Sequence, residues 1–126
     1  MTNTASMTQR LSSLLLAMGV ACGAFGAHGL KHSISPEYLA IWEKAVLYQL
    51  IHSLGALFLS STDALKIPSS RLRTITWLMI GSTCIFSGSL YLLVLTNTKW
   101  LGAITPIGGA GFIISWLLLA IPRRSS

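Results

Sequence analysis

Four long apolar runs, separated by short polar stretches, organise the chain: Leu11 to Leu30, Tyr38 to Ser61, Ile75 to Thr96 and Leu101 to Ile121. Each is close to the roughly 20 residues a helix needs to cross about 30 Å of hydrocarbon. Nothing alternates with period two over ten residues, so a barrel is excluded and helices, which satisfy their own backbone, are expected. The polar connections are Lys31 to Glu37, Thr62 to Thr74 and Asn97 to Trp100. In the first of them, Ser35-Pro36-Glu37 reads as a helix start: a capping hydroxyl, a proline at the first helical position and an acid in the first turn. The pattern predicts an all-α, four-helix transmembrane bundle in a single domain, with helices at about 11–30, 36–61, 75–96 and 101–121.

Composition sharpens this. Hydrophobic residues make up 52% of the 126 residues and charged ones 10%, far below the quarter usual in soluble domains. A surface so short of charge faces lipid. The formal charge of +6 could suit nucleic acid, but the cations lie between apolar runs rather than in one patch. They read instead as topological signals. Arg10, Lys66, Arg71, Arg73, Arg123 and Arg124 fall on one side, six against the two of Lys31 and Lys99 on the other. Both termini are therefore expected in the cytoplasm. Tyr38, Trp42, Tyr91 and Trp100 are expected near the outer interface, Trp77 and Trp116 near the inner one.

Cys22 and Cys84 each sit inside an apolar run. With no CxxC and no Cys/His cluster, they read as small hydrophobes rather than a disulfide or metal framework. The first run opens like a secretory signal, and Gly19-Val20-Ala21-Cys22 is similar to a lipoprotein cleavage box. The run continues apolar to Leu30, beyond the length of a signal core, so it reads as a retained helix.

Several segments combine into a recognisable set. Gly23-Ala24-Phe25-Gly26-Ala27-His28-Gly29-Leu30 closes the first helix. Trp42-Glu43-Lys44-Ala45 and Tyr48-Gln49-Leu50-Ile51-His52 lie in the second. Phe86-Ser87-Gly88-Ser89-Leu90-Tyr91 lies in the third, and Leu101-Gly102-Ala103-Ile104-Thr105-Pro106-Ile107-Gly108-Gly109 opens the fourth. From about Leu11 to Ile121 the chain closely resembles the YgdD-like family of small inner-membrane proteins of unknown function. The resemblance implies a four-helix protein of the bacterial inner membrane. It implies no reaction and no catalytic residue. Asn97 stands where the pattern would have Gly.

The residues out of place in lipid are few. Tyr48, Gln49 and His52 share a face of the second helix with Ala45, Gly55 and Ala56, opposite Leu47, Leu50, Leu54 and Leu57. Polar groups in lipid turn toward protein or water, so the His52 face is expected to meet the bundle and the Leu face the lipid. His52 would lie near the midplane, either hydrogen-bonded as a structural residue or acting as a proton or ligand site. Glu43 points the other way; a contact with His28 at the outer end of the first helix is one reading, a solvated interfacial carboxylate the other. His28 and His32 have a spacing that suits a metal on a helix, but Gly29 and Ser33 end the helix between them, so no metal is assigned.

Small residues carry the rest. In the first helix, Gly19, Gly23 and Gly26 face opposite Ala17, Ala21 and Ala24, so this helix is expected to be packed on two sides, in the bundle centre or between subunits, or to line a pore. Gly88, Gly108 and Gly111 read as further helix-packing positions. No Ser-His-acid order, paired carboxylate or phosphate loop is present, so no enzyme and no cofactor is read. The leading reading is a structural or accessory protein acting through helix packing in the bilayer, as a homo-oligomer or within a larger membrane complex. The alternative is a small-solute or proton pathway formed by an oligomer around His52.

Overall fold

The computed structural model describes residues 3–62 and 65–121; Asp63, Arg123 and Arg124 lie outside them. Four long helices make up these residues: α1 Asn3–Phe25, α2 Pro36–Ser61, α3 Ser69–Thr96 and α4 Thr105–Ala120. A π-helical turn, Gly26–Leu30, continues α1, and a 3-10 turn, Lys99–Ala103, leads into α4. Three segments, Met7–Leu30, Ser69–Thr96 and Lys99–Ala120, are long and apolar enough to cross a membrane. Tyr48, Gln49 and His52 dilute the hydropathy of α2.

The helix ends follow local chemistry. Ser35 caps α2, its Oγ accepting from the Tyr38 amide at 3.1 Å, with Pro36 opening the helix. This satisfies one of the amides a helix start leaves without an intrahelical partner. α3 ends at Asn97, which takes the left-handed conformation with φ 54°. Asn is the residue after Gly best suited to that cap, which accounts for its standing at this position. The Asn97 side chain also accepts a hydrogen bond from the Tyr38 hydroxyl, joining the ends of α2 and α3.

Two helices start earlier than their apolar runs. α3 begins at Ser69, behind Pro68, and not at Ile75. Arg71 and Arg73 therefore lie in its first turns and not in the connection. α1 extends back to Asn3, because tertiary contacts hold its polar first turns. There Thr8 and Ser12 are buried, and the Gln9 side chain donates to the Ser60 carbonyl at 3.2 Å.

Contacts fix an up-down-up-down order. Gln9 meets Ser60, Gln49 meets Leu15 and Trp42 meets Cys22, so α1 and α2 run antiparallel. Across α2 and α3, Tyr38 lies by Asn97 and Gly55 by Met79. Across α3 and α4, Gly108 lies against Phe86 and Gly111 against Ser82. The extensive interfaces join consecutive helices only, leaving α1 and α4 at the two edges. α2 covers the glycine face of α1, while Ala17, Ala21 and Ala24 remain exposed, so α1 stands at an edge of this bundle and not at its centre.

Leu50 corrects the expected lipid-facing set. It does not face lipid with Leu47 and Leu54 but lies half-buried over Gly19, where a Cβ would fall 2.7 Å from its Cδ2. The absent side chain of Gly19 makes the hollow that this leucine fills.

Candidate functional site

Two polar clusters lie inside the bundle, both built on the face of α2 that carries Gln49 and His52. Those two residues are 2% and 6% exposed. Between α1, α2 and α3, Gln49 is used at both ends of its amide. Its Nε2 donates to the Leu15 carbonyl at 2.7 Å, and its Oε1 accepts from the Tyr91 hydroxyl at 2.6 Å. Trp42 closes the cluster: its Nε1 donates to the Cys22 carbonyl at 2.8 Å and its ring lies 4.6 Å from that of Tyr91. One amide therefore ties three helices together, in surroundings where an unpaired polar group is costly.

The second cluster lies between α2, α3 and α4. The His52 ring stacks on Phe112, with centroids 3.6 Å apart and planes 14° from parallel. Tyr48 stacks on Phe86 at 4.7 Å. His52 Nδ1 lies 2.9 Å from the Tyr48 carbonyl, and Trp116 Nε1 lies 3.0 Å from His52 Nε2. A backbone carbonyl can only accept and an indole N–H can only donate. His52 therefore donates through Nδ1 and accepts through Nε2, which is the arrangement of a neutral imidazole with one defined tautomer. Among the described residues no acid touches the ring.

Other expected residues are placed differently. Glu43 and His28 are both exposed, and no hydrogen bond or ion pair joins them. Trp42 is the residue that faces α1; Glu43, the next in sequence, lies about 100° further round the helix. His28 sits in the π turn, and the helix ends before the exposed His32. Gly23 and Gly26 lie against α2, where a Cβ would fall 3.3 Å from Val46 Cγ1 and 2.7 Å from Trp42 Cδ1 respectively. Gly108 and Gly111 lie against α3. Gly88 is the exception, since a Cβ there would meet nothing within 4 Å. Ser87 turns to the Ala45 carbonyl on α2 and Ser89 to Thr105 beside α4. The intervening Gly88 thus points outward, on the same side as exposed Gly81 and Cys84.

Sequence reading missed Cys22, Trp42, Phe86, Tyr91, Phe112 and Trp116 as members of these clusters. Their aromatic type marks Trp42, Tyr91 and Trp116 as interfacial anchors in sequence, whereas all three take part in the polar clusters. The available signal was complementarity: Gly26 provides a hollow for an indole, and a buried His52 needs a donor from another helix.

Comparison with known proteins gives this arrangement a family. Residues 22–109 match the family described as "Protein of unknown function (DUF423)". A UPF0382 membrane protein of Staphylococcus saprophyticus is 46% identical over 114 residues, covering 88% of this chain and 91% of its own. A UPF0382 membrane protein of Staphylococcus epidermidis is 47% identical over 114 residues, covering 88% and 89%. The UPF0382 membrane protein YwdK of Bacillus subtilis is 46% identical over 108 residues, 85% of each chain. No solved structure matches the chain. With both clusters built mainly from residues inside the matched region, and relatives aligned along most of its length, this chain belongs to the DUF423 family of UPF0382 membrane proteins.

Proposed function

We propose that the protein crosses the bacterial inner (plasma) membrane four times and acts there as a structural or accessory subunit, through helix packing. The observation that carries this reading is the state of α1. Its glycine face is filled by α2, while Ala17, Ala21 and Ala24 form an exposed small-residue face at the edge of the bundle. In lipid, small residues favour helix association because they let backbones approach closely. That face suits a helix of a second copy or of a larger membrane complex.

Several features support the fourth crossing. α2 packs antiparallel between α1 and α3, both long and apolar enough to span. Its polar residues are engaged inside the bundle, and Leu47, Ile51, Leu54 and Phe58 form an exposed apolar face. The excess of Lys and Arg at the termini and the α2–α3 connection supports cytoplasmic termini. A proton or solute pathway around His52 is the weaker reading, since both ring nitrogens are engaged and the ring is stacked on Phe112.

The test is disulfide trapping in native membranes. In a chain with Cys22→Ser and Cys84→Ser, single substitutions Ala17→Cys, Ala21→Cys and Ala24→Cys should give crosslinked products, with Leu54→Cys as the lipid-facing control. If the three α1 positions yield no more product than Leu54→Cys, the packing reading fails. Proton flux in proteoliposomes that His52→Leu abolishes would put the pathway reading ahead.

A further inference from the structure

A groove of about 370 Å³ opens between α2, α4 and the α2–α3 connection. Gly55, Phe58 and Leu59 of α2, Trp116 and Leu119 of α4, and Leu65 and Ile67 of the connection line it. The lining is apolar throughout, so a polar solute has no partner there. Gly55 lets the Trp116 ring settle close against α2: a Cβ would lie 3.3 Å from Trp116 Cη2 and 3.4 Å from Met79 Sδ. From Gly55 to the end of α2 at Ser61 the groove runs along about 9 Å of helix, from the interior toward headgroup depth. A neighbouring helix, about 10 Å across, is too broad to enter; a hydrocarbon chain fits.

The connection is basic. Lys66 stands between Leu65 and Ile67, exposed, with its backbone held at φ 54°. α3 begins three residues later, behind Pro68, with no side chain capping its first turn. Free amides and a positive dipole end attract anions. Arg71 adds an independent sign. Its Nη1 is buried without a hydrogen-bond partner, and the residue lies one turn before Ile75, whose cluster with Met79 also receives the groove residue Leu65. A shielded guanidinium nitrogen lacking an acceptor is costly unless an anion completes it.

We infer that this groove is a binding site for an anionic glycerophospholipid, one acyl chain lying against Trp116 and Gly55 and the phosphate held by Lys66, Arg71 and the start of α3. The apolar groove sets affinity for the chain; the cations set preference for the headgroup. Each cation near a membrane surface contributes about a five-fold preference for an anionic lipid.

Native mass spectrometry of the full-length protein in mild detergent tests this. The protein would be titrated with dioleoyl-phosphatidylglycerol, dioleoyl-phosphatidylcholine or inorganic phosphate. Wild type should retain one phosphatidylglycerol at least five-fold better than phosphatidylcholine, and phosphate alone should not displace it. Lys66→Gln and Arg71→Gln should each lower that preference about five-fold while weak retention of either lipid persists. Ala120→Phe, which narrows the groove from its exposed rim, should weaken both lipids; Ala110→Phe, exposed elsewhere on α4, should change neither. Equal retention of the two lipids by wild type, unchanged phosphatidylglycerol binding in Ala120→Phe, or displacement by phosphate alone would overturn the inference.

Discussion

At the scale of single residues, His52 shows how a titratable group is held near the middle of an apolar bundle. Its two nitrogens have opposite roles, one donating to Tyr48 and one accepting from Trp116. Nitrogen-15 NMR of histidine-labelled protein in nanodiscs should report a protonated Nδ1 and an unprotonated Nε2; the reverse pattern would rule this arrangement out. His52→Leu leaves only the Trp116 N–H without an acceptor and should cost about 1 kcal/mol or less. His52→Arg places a fixed charge there and should cost about 3 kcal/mol, read as loss of insertion or of thermal stability in detergent. The glycines divide just as sharply. A Cβ at Gly108 would fall 2.6 Å from the Phe86 backbone nitrogen, and backbone cannot step aside. Gly108→Ala should therefore separate α3 from α4 and cost about 1–3 kcal/mol. Gly88→Ala meets nothing and should be neutral or gain up to about 1 kcal/mol from helix propensity. Equal melting temperatures for the two variants would contradict the placement of both. Sequence spacing put Gly88 and Gly108 in one class because small size alone cannot tell a contact from an open face. Leu50 failed for the converse reason: a leucine covering a glycine and one covering lipid look alike until the partner helix is placed.

At the scale of elements, the helices were legible because four long apolar runs, three of them apolar enough to cross a membrane, leave little choice, and the Ser35-Pro36 start was legible because its chemistry is local. The ends of α1 and α3 were not. Apolarity marks where hydrocarbon begins, whereas a helix continues as long as its backbone bonds are kept and its polar turns find partners, as Gln9 does on Ser60. The π turn at Gly26–Leu30 was also invisible, although it sets the direction of Leu30, which packs in a cluster with Trp42, Ala45 and Leu90. A π turn holds one residue more than an α turn. Deleting Ala27 should therefore restore regular helix while leaving the flanking side chains on their original faces. Deleting Ala21 should rotate Gly23 and Gly26 by about 100° away from α2. Yield of folded protein after size-exclusion chromatography should be near normal for the first deletion and low for the second.

At the scale of the molecule, the charge pattern predicts that reporters active only outside the cytoplasm are silent when fused at Ser126 and active when inserted after Lys31 or Asn97. Activity at Ser126 would reverse the proposed orientation. Because the large interfaces join helices adjacent in sequence, contacts can form in the order in which the ribosome delivers the helices, with no search between distant segments. The hairpin of α1 and α2 can make the Trp42–Cys22 and Gln49–Leu15 bonds by itself, and α3 then brings Tyr91 to Gln49. His52 has no such early partner for its Nε2: Trp116, the donor, and Phe112, the stacking face, arrive only with α4. A nascent chain stopped at Asn97 would present an open imidazole to lipid. The unfinished chain should be less stable than the complete one, and pulse-chase lifetimes should lengthen sharply once synthesis passes Trp116.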